Sequence, residues 1–224
     1  MLLGPENTPL NLLRKKSTTI LENSVGDRRD KMTTPWGKIQ HSEKVATGVT
    51  IVDTASHGGY RISPSRYASM NPALKELGFK YGNYYYFEED CDWCAVVIAF
   101  SELFEAKNLQ SALDTFKQTH YKQYEKYCNV TLKEGESRSK DVAMFWEKNK
   151  NKFVVSSAMY WDKENKIVKV CAKKSTSPYA NQNEEKWFLI PAEEYKTKYN
   201  NPAGAYVIEN PNDFEETTPG FQKC

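Results

Sequence analysis

The sequence predicts an α+β fold: a single domain in which an antiparallel sheet is built around central helices. Strand-like runs fill Trp36 to Ser63 and Phe153 to Ile208, while a helical apolar period dominates Glu88 to Lys148 between them. No regular βαβ alternation appears, which argues against a doubly wound parallel sheet. The 224 residues are enough for one sizeable core. With 14 Tyr, 10 Phe and 5 Trp, the chain also carries too many large apolar groups to be disordered throughout.

Residues 1–34 hold the short apolar clusters Leu10-Leu12-Leu13 and Ile20-Leu21 among polar residues, and are expected to form a flexible N-terminal arm. The α+β domain is expected over 35–210. It opens with a three-stranded meander, Trp36–Gln40, Gly48–Asp53 and Tyr60–Ser63, in which His41–Lys44 is a polar connection and Ala55–Gly59 a small-residue turn. A short helix is expected over Pro72–Leu77, and Tyr84–Phe87 reads as a strand or an aromatic ledge. Glu88–Lys107 is the strongest helix prediction. Trp93, Val96, Val97, Phe100, Leu103 and Phe104 share one face, and the acids Glu88, Glu89 and Asp90 suit the positive end of the helix dipole. A second helix, Leu109–Tyr127, carries Leu109, Leu113, Phe116, His120 and Tyr124 on one stripe, and a third spans Lys140–Lys148. Period two then returns in Phe153–Trp161 and Ile167–Ala172, followed by strands at Lys186–Ile190 and Ala205–Ile208 around a short helix, Pro191–Lys198. Residues 211–224 are expected to be a loose tail.

Charge and cysteine usage exclude several classes. With 31 Lys plus Arg against 29 Asp plus Glu, the net charge of +2 gives no global field for nucleic acid or an acidic membrane. The longest apolar run, Ala95–Phe100, is far short of the roughly 20 residues of a spanning helix. Met1–Glu6 has neither a basic nor an apolar signal region, so a cytoplasmic location is expected. The 5 Cys are an odd number, and only Cys91-Asp92-Trp93-Cys94 has a short spacing. With His41, His57 and His120 scattered along the chain, no zinc motif is written in sequence, and the acids around Cys91 oppose a thiolate. The pair reads as semi-buried thiols on a helix. No metal and no cofactor are expected.

His57-Gly58-Gly59 is the motif most in need of a reason. Adjacent glycines let a ligand or backbone approach closely and expose N–H groups as a small anion nest, beside which an imidazole could act as general acid or base. A plain hairpin turn that contains a histidine is the competing reading. Glu88-Glu89-Asp90 could simply cap a helix, or one carboxylate could cap while another turns into a cleft to polarise His57, with Asp53 joining them. Lys117, Lys122 and Lys126 interleave with Tyr121, Tyr124 and Tyr127, a pattern that nucleic acid would use; a solvated helix face explains it better.

Thr34-Pro35-Trp36-Gly37, Ser56-His57-Gly58-Gly59, Phe87-Glu88-Glu89-Asp90-Cys91-Asp92-Trp93 and Lys186–Tyr195 together resemble an uncharacterised domain family carried by phages, plasmids and other mobile elements of bacteria. The resemblance covers roughly Met32–Glu209 and implies no established activity. It singles out His57, Glu89 and Asp90 as candidate catalytic residues, and Trp36, Gly58, Gly59, Glu88 and Trp93 as candidate ligand contacts. Cys94 lies outside its pattern. The function it implies is that of a mobile-element accessory protein binding a small ligand or a host protein, with a role in countering host defence. The alternatives are a hydrolase or transferase using the His–carboxylate pair, and a nucleic-acid-binding accessory protein.

Overall fold

A computed structural model describes residues 33–177 and 184–220. The expected N-terminal arm therefore lies, up to residue 32, outside the described residues. Every strand pair among the described residues is antiparallel, as the α+β expectation requires. The strands form two five-stranded sheets where the sequence reading expects one, and the chain divides into two compact units, 1–132 and 133–224.

The first unit opens with a small hairpin, β1 (Thr33–Thr34) and β2 (Gly37–Lys38). Its sheet contains β3 (His41–Ala46), β4 (Val49–Asp53), β5 (Gly58–Ile62), β6 (Phe79–Tyr81) and β7 (Tyr84–Glu88) in the order β3-β4-β5-β7-β6. The expected first strand at Trp36–Gln40 is reduced to β2, which pairs with β1, and the expected connection at His41–Lys44 is itself a strand. The polar stretch His41–Ala46 is the edge strand, with one side on β4 and much of its surface in solvent, so it needs few apolar residues. Helices α1 (Pro64–Ser69) and α2 (Pro72–Lys75) connect β5 to β6, and each begins with a proline behind a side-chain cap, Ser63 and Asn71 respectively.

The predicted helix Glu88–Lys107 is also corrected. Glu88 is the last residue of β7 and pairs with Gly59, because the register of Tyr85–Glu88 on Gly59–Ile62 runs uninterrupted to that point. A turn over Glu89–Asp92 follows, then α3 (Trp93–Ala99), whose residues Trp93 to Ile98 are all buried. Backbone angles of φ −129° and ψ 46° at Phe100 end this helix. Helices α4 (Ala106–Thr119) and α5 (Tyr121–Cys128) take the place of one predicted helix and meet at His120. The core joins Val49, Ile51, Tyr60, Ile62 and Phe87 of the sheet to α3 and to Ala112 and Phe116 of α4.

In the second unit, β8 (Phe153–Asp162), β9 (Ile167–Lys173), β10 (Glu185–Pro191), β11 (Val207–Ile208) and β12 (Glu215–Thr217) form a sheet in the order β11-β8-β9-β10-β12. Helices α6 (Arg138–Lys148) and α7 (Ala192–Tyr195) accompany it. Strand β12 falls in the stretch read as a loose tail. It pairs with Trp187–Leu189, and Glu216 meets Lys186 at 2.7 Å.

Candidate functional site

The turn between β4 and β5 is locked by Thr54. Its main-chain N–H and its hydroxyl both donate to the His57 carbonyl at 2.8 Å, and its Oγ1 accepts the His57 N–H at 3.2 Å. The imidazole is therefore presented, exposed, on a fixed loop at the end of the sheet. On the neighbouring strand, β7 ends beside it. Main-chain pairing continues one step past the strand, where Glu89 N–H donates to the Gly58 carbonyl at 3.1 Å. Ligating atoms of His57, Glu88 and Glu89 consequently lie within 4.8 Å of one another.

Gly58 explains how the carboxylates fit. A β-carbon there would stand 2.7 Å from Asp53 Oδ1 and 2.8 Å from Glu89 Oε2, so the missing side chain is what lets two acids share the volume beside the loop. The Gly58 N–H serves the Glu89 carboxylate. Gly59 serves a different purpose. A β-carbon on it would fall 2.2 Å from the Phe87 carbonyl oxygen and 2.7 Å from the Trp36 ring, so glycine permits both the strand pairing and the close approach of the indole. Trp36 also meets Phe79 and Tyr86 edge-on, at ring separations of 6.3 and 5.7 Å.

The three consecutive acids divide their roles. Glu88 Oε2 accepts the Asp90 N–H at 2.8 Å and so shapes the turn into α3. Glu89 points to Gly58, and its carboxyl is held above the usual range. Partial burial is the main cause, followed by the charges of Glu88, Asp90 and Asp53, with the Gly58 N–H opposing them. Asp90 is exposed. Trp93, expected as a ligand contact, is buried in the core at 2% exposure. The structure thus brings His57, Gly58, Glu88 and Glu89 together with Asp53, places Trp36 over Gly59, and sinks Trp93 into the interior.

Cys94 is fully buried and Cys91 half-buried, both as free thiols. Burial and the charges of Asp92, Glu88 and Asp90 push the Cys91 thiol up to about 11, so it is no ready nucleophile at neutral pH. A cavity of about 800 Å³ in the second unit, lined by Arg138, Trp146, Tyr195 and Lys198 among others, contains none of the predicted site residues. No helix among the described residues is long and apolar enough to cross a membrane.

Residues 29–150 match the family described as "Domain of unknown function (DUF7007)". The matched stretch is more than half of the chain, and the chain belongs to that family. It includes Trp36, the His57 loop and the Glu88–Trp93 turn, whereas Lys186–Tyr195 lies beyond it. No curated protein and no solved structure matches the chain.

Proposed function

We propose that this DUF7007 protein is a binding protein whose His57–Glu88–Glu89 edge receives a cationic group, an ammonium or guanidinium, from a small ligand or a host protein. The observation that carries this reading is the convergence of His57, Glu88 and Glu89 within 4.8 Å. Asp53 and Asp90 add like charge around it. Like charges about 4 Å apart at an effective dielectric near 20 repel by about 4 kcal/mol, a repulsion that a bound cation relieves and a bound anion deepens. The resemblance of the motifs to proteins of mobile elements supplies the setting: a phage or plasmid accessory protein in the bacterial cytoplasm, acting on a host component and countering host defence.

The test is an amide-resonance titration of the full chain with arginine methyl ester, and in parallel with inorganic phosphate. Gly58, Gly59 and Glu89 amides should shift with the ester and stay still with phosphate, and Glu88→Gln with Glu89→Gln should remove the response. Shifts with phosphate and none with the ester would overturn the reading. A second reading has support in the raised Glu89 carboxyl beside an imidazole, an arrangement suited to proton transfer in hydrolysis or group transfer. Turnover of simple carboxylic and phosphoric esters that disappears in His57→Ala would favour it.

A further inference from the structure

The turn that supplies Glu88 and Glu89 to His57 supplies its next residues to a different histidine. Ligating atoms of Cys91, Asp92 and His120 lie within 4.8 Å of one another. His120 stands at the junction of α4 and α5, where the backbone leaves helical geometry (φ −124°, ψ 52°). From that corner, its Nε2 comes within 3.3 Å of Asp92 Oδ1. Cys91 Sγ is 3.9 Å from the same oxygen. Its Nε2 is buried and makes no hydrogen bond. A buried ring nitrogen without a hydrogen bond, gathered with a carboxylate oxygen and a thiol sulfur, is a donor set that a cation among them would satisfy.

We propose that Cys91, Asp92 and His120 form a binding site for a zinc-type divalent cation, with a coordination position left for water or an outside ligand. The spacings fit. A tetrahedral ion with bonds of about 2.1 Å to nitrogen and oxygen separates those two ligands by roughly 3.4 Å, and a sulfur at about 2.3 Å stands roughly 3.6 Å from the oxygen. The 3.3 and 3.9 Å separations are within a few tenths of an ångström of those values. The donor set also selects the metal. One thiolate, one imidazole and one carboxylate suit zinc or cobalt, whereas magnesium and calcium want oxygen ligands throughout. Side-chain exposures of 18% for His120 and 23% for Asp92 leave a way in.

The site does not depend on the proposed His57 function, and one experiment separates the two. The full chain, stripped with a chelator, is titrated with Co²⁺ and followed by absorbance. The expected result is one equivalent bound, with d–d bands of tetrahedral intensity and a thiolate charge-transfer band. Zn²⁺ should bleach the spectrum and Mg²⁺ should leave it unchanged. Cys91→Ser should remove the charge-transfer band. His120→Gln and Asp92→Asn should each weaken binding by at least the roughly 10- to 100-fold that outer-sphere partners alone are worth. Glu89→Gln should titrate like the wild type. Circular dichroism identifies any variant that has lost its fold, and the near-isosteric Asp92→Asn then decides. A Co²⁺ spectrum without a thiolate band, or wild-type binding by folded Cys91→Ser and His120→Gln, would overturn the proposal.

Discussion

Glu89 shows opposing effects at a single carboxylate. The Gly58 N–H favours the ionised form, whereas burial and the charges of Glu88, Asp90 and Asp53 oppose it, and the net result is a raised carboxyl pKa. An acid that folding makes harder to ionise contributes unfavourably to stability once the solution is alkaline enough to ionise it. The folded state holds the proton longer than the unfolded one, so stability falls as pH rises from the ordinary glutamate range through the folded value. Glu89→Gln mimics the protonated form and keeps an oxygen to accept the Gly58 N–H. Its melting temperature should equal that of the wild type near pH 4 and be equal or higher at pH 7. A variant that melts well below the wild type at pH 7 would mean that the carboxylate is held for stability. If removing it stabilises the fold, the acid is retained for binding, and the same substitution should abolish the arginine-ester response. The residues of this cluster were legible because His-Gly-Gly and Glu-Glu-Asp are unusual runs in themselves. The use of Gly58 N–H by Glu89 was not, since it depends on a strand register that no local pattern specifies. His120 was hidden for a related reason: on one continuous helix it belongs to an apolar stripe, and only the corner between α4 and α5 turns it toward Cys91 and Asp92.

At the level of elements, α3 and α4 pack on the sheet that presents the His57 cluster, and the second cluster lies between the turn before α3 and the corner after α4. Phe116 is fully buried at the meeting of the two helices and contacts Tyr124 and Tyr127 of α5 edge-on, at 5.6 and 5.9 Å. Phe116→Ala should therefore cost about 3–5 kcal/mol, the cost of an aromatic cavity that neighbouring rings cannot refill. Urea melts would measure it, and a loss below about 1 kcal/mol would mean that the α4–α5 corner is not part of the cooperative core. Apolar spacing placed Trp93, Val96, Val97 and Phe100 on one face, and all four are buried. The same spacing misplaced the start of the helix. Acids are favoured in a first helical turn, but at Glu88 ladder pairing with Gly59 takes precedence over that preference. The breaks at Phe100 and His120 carry no glycine or proline, the usual punctuation, and tertiary packing sets them instead.

For the whole molecule, two boundaries disagree. The first compact unit ends at Leu132, while the family match extends to residue 150 and takes in α6. The antiparallel α+β class was readable from strand-rich ends and a helical middle. The separation of those ends into two sheets was not, because each sheet alone satisfies the same period-two pattern. The core of the first unit closes on its own residues: the buried cluster and the side chains packed on it run from Val45 to Tyr127, and Leu132 is itself buried through its anchor to Glu125, whose carboxylate accepts its N–H at 2.7 Å. By that argument the first unit is expected to fold on its own residues, with residues 133–150 of the family match following it in the chain. A chain covering residues 33–132 should melt cooperatively and within a few degrees of one covering 33–150, and should keep the amide response of Gly58 and Glu89. If only the longer chain folds, α6 belongs to the first core, and the family boundary at 150 is the physical one.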